Sequence, residues 1–141
     1  MNYLIDTNII LELVKPKPNA QVVTFISTLP PTDIYISTLI WGELYKGIET
    51  LMPSKKKTQL YSWLNNDLAA WFKNQILVVD VAVAERWAHL LIAAKRSLPV
   101  VDSLIAATAL QHNAILLTRN KKDFKYPELR VINPFEETHL I

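Results

Sequence analysis

Hydrophobic positions along this chain fall into short unbroken runs that alternate with longer periodic ones. Tyr3-Leu4-Ile5, Ile34-Tyr35-Ile36-Ser37, Ile76-Leu77-Val78-Val79 and Ala114-Ile115-Leu116-Leu117-Thr118 are too apolar for strands with one wet face. They read as buried strands, and Arg130 to Ile132 offers a fifth, short edge strand. Between them the spacing turns helical. Asn8 to Val14 is stopped by Lys15-Pro16-Lys17-Pro18-Asn19, and Ala20 to Leu29 by Pro30-Pro31. Thr38 to Leu51 is the clearest amphipathic helix, with Leu44, Ile48 and Leu51 at helical spacing. Lys55 to Trp71 follows with Ser54 as its cap, then Val81 to Arg96 capped by Asp80, then roughly Asp102 to His112. This alternation predicts an α/β fold with a parallel sheet of four to five strands covered on both faces. No repeat, low-complexity stretch or long linker divides the 141 residues, which predicts a single domain over 1–141.

Four acids stand where a predicted strand gives way to a turn or helix. Asp6 closes the first strand, and Glu43 lies early on the helix after the second. Asp102 opens the helix before the fourth strand, and Asp123 follows the turn Thr118-Arg119-Asn120. In an open parallel sheet the carboxyl ends of the strands converge on one crevice. Carboxylates gathered there repel unless a cation neutralises them, and oxygen-only ligands suit Mg²⁺ or Mn²⁺. The pattern therefore points to a metal site, and a metal site in a cleft to phosphate chemistry.

Each acid also has a structural reading. Asp6 could cap the next helix, although Thr7 and Asn8 could do so in its place and leave it facing the crevice; Asn8 could also orient a carboxylate through its amide. Glu43, between Trp41-Gly42 and Leu44, could be a solvated helix residue. Asp102 could be a plain N-cap, but Ile105, Ala106, Ala107 and Ala109 would press its helix onto the sheet and fix its direction. Asp123 could be a loop acid among Lys121, Lys122 and Lys125, with Asn120 its rival for a fourth position. Thr118 and Arg119 could bond phosphate.

Composition narrows the classes. Zero cysteines remove disulfides, thiolate metal sites and cysteine nucleophiles, and suit a reducing cytoplasm. The two glycines, Gly42 and Gly47, fall inside a helical pattern, so no Gly-rich phosphate loop exists. His89, His112 and His139 lie on separate elements, which argues against zinc and a His-based triad. Ser37, Ser97 and Ser103 lack a nucleophile-elbow context, and Trp41, Trp63, Trp71 and Trp87 read as core or interface. Lys55-Lys56-Lys57 reads as a solvated cluster. The chain shows no secretory signal segment and no apolar run near the ~20 residues that span a membrane. The net charge of +2 leaves a basic surface around an acidic pocket, which suits an enzyme acting on a polyanion.

Leu4-Ile5-Asp6-Thr7-Asn8, then Trp41-Gly42-Glu43-Leu44 with Gly47-Ile48, resemble the opening motifs of the PIN-domain family. Val101 to Ala109 resembles its central helix. Leu117-Thr118-Arg119-Asn120, Asp123-Phe124 and Asn133-Pro134-Phe135 resemble the end of VapC-type toxins, including the FitB-like branch. The resemblance implies a three-layer α/β/α fold and a cytoplasmic Mg²⁺- or Mn²⁺-dependent endoribonuclease that uses metal-activated water. It also implies a small antitoxin partner, usually a DNA-binding autorepressor, and frequent homodimerisation. Family acids carry over to Asp6, Glu43 and Asp102. The FitB-like branch can place Asp directly after Thr-Arg, where this chain has Asn120, and other members offer the acid corresponding to Asp123. Asp6 and Asp102 would hold the principal metal, with Glu43 ligating it or positioning the water. Competing readings are a PIN module that binds RNA or protein without cutting, and a phosphoacceptor signalling domain with Asp80 as acceptor. The latter lacks paired acids after the first strand and a Lys after the last core strand.

Overall fold

The structure is a computed structural model that describes residues 1–136. His139 and the tail of the predicted domain lie outside the described residues. Five strands, β1 (Asn2–Ile5), β2 (Ile34–Ser37), β3 (Ile76–Leu77), β4 (Ala114–Leu117) and β5 (Val131–Ile132), form one sheet in the order β3-β2-β1-β4-β5. Every pairing is parallel, as the unbroken apolar runs predict.

The helices are α1 (Thr7–Leu13), α2 (Ala20–Ser27), α3 (Thr38–Glu49), α4 (Lys55–Ser62), α5 (Ala69–Trp71), α6 (Val81–Ala94) and α7 (Val100–Gln111). Successive side chains of a strand point to opposite faces, and β4 divides accordingly. Ala114 and Leu116 belong to the main core with residues of α1, α3, α6 and α7. Ile115 and Leu117 meet Phe25 of α2 in a second, smaller core. Helices therefore flank the sheet on both faces.

Three local features differ from the pattern-based reading. The predicted helix Lys55 to Trp71 is α4 and α5 joined by a π-helical stretch, Trp63–Leu68. The wider turn accompanies the seating of Leu64 and Leu68 in the main core, at 0% and 1% exposure. The third strand ends at Leu77, because Val78 and Val79 are exposed and leave the ladder. The helix carrying Asp102 begins earlier, at Val100, with Pro99 ahead of it making no side-chain cap bond. Ser54 and Asp80 cap α4 and α6 as predicted, accepting from Lys57 N at 3.1 Å and Val83 N at 2.9 Å.

The strand order fixes where a ligand fits. From β1 the chain moves outward to β2 and β3, then returns to the other side for β4 and β5. The switch falls between β1 and β4, and the crevice beyond their carboxyl ends is where open α/β sheets bind. Asp6 and Thr118 are the first residues past those two ends.

Candidate active site

Asp6 leaves β1 in extended backbone and becomes the N-cap of α1, its Oδ1 accepting from Thr7 N at 2.8 Å. Capping and crevice-facing were alternatives on sequence; the structure combines them. The other oxygen, Oδ2, accepts from Thr118 Oγ1 at 2.7 Å and Asn8 Nδ2 at 3.4 Å. Asn8 Nδ2 also donates to Thr118 Oγ1 at 3.2 Å, while its Oδ1 accepts from Arg119 N at 3.0 Å. That last bond assigns the amide, since only the oxygen can accept. Asn120 N completes the network on Thr118 Oγ1 at 3.1 Å. The ends of β1 and β4 are thereby stitched together around one carboxylate.

Glu43 lies on α3, which Ser37 caps through Ile40 N at 3.1 Å. Ile40, Leu44 and Ile48 bury the core side of that helix and so fix its orientation beside α1. Glu43 Oε1 accepts from Thr7 Oγ1 at 3.0 Å, so Thr7 connects Asp6 and Glu43 without contributing charge. Asp102 sits in the first turn of α7, where peptide N–H groups favour a negative charge. Ile105, Ala106, Ala107 and Ala109, all at most 1% exposed, hold that helix on the sheet, as their small size predicts.

Asp6, Glu43, Asp102, Asn120 and Asp123 line one cavity of about 260 Å³ together with Thr7, Asn8, Leu11 and Phe124. All four sequence-predicted acids are thus brought to one place, and so are both rivals for the fourth position. Burial raises the Asp6 carboxyl above its ordinary range, against the bonds from Thr118, Thr7 and Asn8, and Asp123 adds repulsion. Burial also raises Glu43, the Thr7 bond opposes it, and Asp6 and Asp102 repel it. Asp102 is raised by burial, then by Asp6 and Asp123. Nearby Tyr126 is raised by burial and by the Asp102 charge.

Every candidate ligand in the cavity is oxygen, and the acids repel one another there, which suits a hard divalent cation. Among the described residues no three His or acidic groups close on a common point, so the acids share the cavity without gripping one position. Asp6 is the best prepared donor. A carboxylate offers about four lone-pair sites, and protein donors take three of those on Asp6.

Two substrate candidates are placed differently from the sequence reading. Thr118 is fully buried and its hydroxyl is saturated, so it orients Asp6 and has no room for a phosphate. The Arg119 guanidinium lies over the Phe135 ring at 4.3 Å, outside the lining of the acid cavity. Asp80 caps α6 after the outermost strand β3, away from the other acids, which removes the phosphoacceptor reading. His89 and His112 lie on different helical elements, and His112 Nε2 is buried without a partner. Lys57 does more than face water, since Nζ donates to Glu49 O at 3.2 Å and Leu51 O at 3.0 Å, closing the end of α3.

Sequence reasoning missed Thr7 as a bridge and Glu12 as an anchor. Glu12 is largely buried, pairs with Lys15 Nζ at 2.9 Å and accepts from Asn19 N at 2.8 Å. These bonds hold its carboxyl below the usual range and fix the turn from α1 to α2. The Glu12–Lys15 spacing of three was the available signal. Leu11 and Phe124, apolar walls of the cavity, carry no chemical signature in sequence.

Residues 3–128 match the family described as PIN domain. The chain is 34% identical to Toxin FitB of Neisseria gonorrhoeae over 95% of its own length and 99% of that protein's. It is 30% identical to the VapC ribonuclease Y4jK of Sinorhizobium fredii, covering 94% and 97% of the two chains. Among solved structures, that of FitAB bound to an IR36 DNA fragment superposes with a TM-score of 0.88 at 31% identity, covering 99% of each chain.

Proposed function

This chain belongs to the PIN-domain family, among its FitB- and VapC-type members, and from that premise we propose that it is a metal-dependent endoribonuclease. It would be the toxin of a toxin–antitoxin pair. The observation that carries this reading is the single cavity into which Asp6, Glu43, Asp102 and Asp123 are gathered at the β1/β4 switch. The reaction is hydrolysis of an RNA phosphodiester by in-line attack of water. Asp6 and Asp102 would hold the principal Mg²⁺ or Mn²⁺, Glu43 would complete the ligand set or orient the water, and Asp123 or Asn120 would fill the fourth position. When bound, such an ion lowers the pKa of water and offsets charge building on the phosphate.

The protein's own share is orientation and electrostatics. Thr118, Thr7 and Asn8 fix the Asp6 carboxylate, and Thr7 fixes Glu43. Asn8 and Asn133 hold the Arg119 backbone from either side, Asn133 Nδ2 donating to Arg119 O at 3.4 Å. The Arg119 side chain, stacked on Phe135, rests on an exposed cation–π contact worth about 0.5–1 kcal/mol, which a substrate phosphate can outcompete. The proposed protein partner is a small antitoxin that also binds promoter DNA. The DNA-bound FitAB assembly supports this. Among the described residues no helix is long and apolar enough to cross a membrane.

Incubating antitoxin-free protein with total cellular RNA in Mg²⁺, Mn²⁺ or EDTA tests the proposal, with Asp102→Asn as control and the cut ends mapped. Discrete metal-dependent cuts that vanish in the variant establish the activity and name the target. Folded, inhibitor-free protein that cuts nothing under either metal overturns it and leaves a module that binds without cutting.

A further inference from the structure

Beside the acid cavity lies a larger cleft of about 440 Å³, lined by Leu39, Gly42, Glu43, Lys46, Gly47, Thr50 and Val101. Its volume falls within the roughly 300–1,000 Å³ typical of small-ligand sites. Leu39, Gly42, Glu43, Lys46 and Thr50 follow helical spacing along one face of α3 and its C-cap, and Val101 of α7 supplies a facing wall. Glu43 lines this cleft and the acid cavity alike, and Val101 adjoins Asp102. The cleft therefore adjoins the acid cavity through Glu43.

We propose that this cleft receives one nucleotide of single-stranded RNA next to the cleaved phosphodiester, an inference that rests on the nuclease reading above. Its chemistry is graded for such a ligand. Leu39 and Val101 offer apolar walls to a base, Val101 being 41% exposed. Lys46 is exposed and close enough to act on the Glu43 charge, and it presents a cation to a flanking phosphate. Thr50 Oγ1 donates to Gly47 O at 2.8 Å, which leaves its lone pairs for a donor on base or ribose.

The floor agrees with this use. Glycine is the least favourable helix-interior residue after proline. The chain nevertheless places both of its glycines inside α3. Neither has a positive φ, and among the described residues a Cβ at either position would meet nothing within 4 Å. Among the described residues no turn, backbone strain or close packing accounts for them. A bare helix surface lets a planar base lie against the backbone, and single-stranded RNA is recognised largely through splayed, stacked bases.

The test measures binding of a fluorescein-labelled single-stranded oligoribonucleotide to EDTA-treated protein at several salt concentrations, beside steady-state cleavage in Mg²⁺. Gly42→Ala should fold as the wild type does, since its Cβ meets no neighbour among the described residues, and should weaken binding slightly by placing a methyl on the floor of the cleft. Gly42→Leu, which fills the cleft, should weaken binding by about tenfold and raise KM while kcat stays within about threefold. Lys46→Met should flatten the slope of log K against log salt by about 0.7, the increment for one phosphate contact on a single strand. This second variant keeps the test open if Gly42→Leu does not fold. Wild-type affinity in Gly42→Leu together with an unchanged salt slope in Lys46→Met overturns the proposal. So does a Gly42→Leu effect that follows a change in sedimenting mass, because the cleft would then be an interface with a second copy. If even the wild type cuts nothing while the binding differences persist, the nuclease reading falls and the nucleotide site stands.

Discussion

Thr118 Oγ1 donates to Asp6 Oδ2 at 2.7 Å across 112 residues of sequence, and the surroundings leave that proton no other destination. The other two groups on the hydroxyl, Asn8 Nδ2 at 3.2 Å and Asn120 N at 3.1 Å, are both donors. A threonine hydroxyl has one proton and two lone pairs, so each is used once. The acid that ends β1 is thus oriented by the residue that ends β4, and an ordered ladder between those strands becomes an ordered ligand.

Replacing Thr118 by Val keeps the shape and removes the donor. The donors on Asn8 and Asn120 then lose the hydroxyl as acceptor at a half-buried position, and Asp6 loses its shortest bond. The expected result is a fall of about 10–100-fold in activity or Mg²⁺ affinity, the scale seen when partners of metal ligands are removed. Thr118→Ser should retain most of both. Isothermal titration with Mg²⁺ and initial cleavage rates check this, and a Val variant as active as wild type would show that the hydroxyl does not orient Asp6.

The raised carboxyls make stability depend on pH in a definite direction. In metal-free protein Asp6, Glu43 and Asp102 all have folded-state pKa values above their ordinary ones of 3.8, 4.5 and 3.8. A group raised in the folded state binds protons more tightly there than in the unfolded chain. Its contribution is complete below the ordinary value and is lost as pH rises through the higher folded value. These three acids therefore make the metal-free protein lose stability as pH climbs from just below 4. A bound divalent cation reverses their share, because it favours the ionised forms. Melting curves in EDTA and in Mg²⁺ from pH 4 to 8 should diverge as pH rises, and parallel curves would refute a shared cation site.

Asp102→Asn separates function from stability. Removing one negative charge from the cavity relieves the repulsion that Asp102 exerts on Glu43, while the packed Ala106 and Ala107 keep α7 in place. Cleavage should fall to background, and in EDTA at pH 7 the variant should melt at or above the wild-type temperature. A variant that loses activity and also melts well below wild type would point to misfolding instead. Such a trade-off is common where like charges are held together for function.

The parts of this fold legible in sequence were those with a local cause. The runs Leu4-Ile5 and Ala114 to Leu117 are apolar on both faces because helices cover both, and the caps Ser54 and Asp80 lie where side-chain oxygens meet free N–H groups. The acids were legible because strand ends converge, which singles out Asp6, Glu43 and Asp102 in the sequence itself. What stayed hidden depends on contacts between distant residues. The π-helical stretch at Trp63–Leu68 accompanies core packing that no local pattern encodes. Thr118 carries the same hydroxyl whether it faces phosphate or Asp6, and only the neighbouring strand decides. Val78 and Val79 misled because an apolar pair can sit on an exposed edge as readily as in a core.

The fourth position is the last point at which charge decides. Asn120 and Asp123 line the same cavity, but only Asp123 brings a negative charge, and that charge acts on both Asp6 and Asp102. Asn120 is tied into the network through its backbone N–H, which any residue but proline supplies. Asn120→Ala should therefore keep the Asp6 network and cost less than about tenfold in activity. Asp123→Asn should cost more, within about 10–100-fold, and should raise the Mg²⁺ concentration needed for half-maximal rate. Asn120→Asp should bring that requirement down by adding a charge to the cavity. Metal titrations of cleavage by the three variants decide the matter: if Asn120→Ala is the more damaging loss, the amide is the ligand and Asp123 only a source of field.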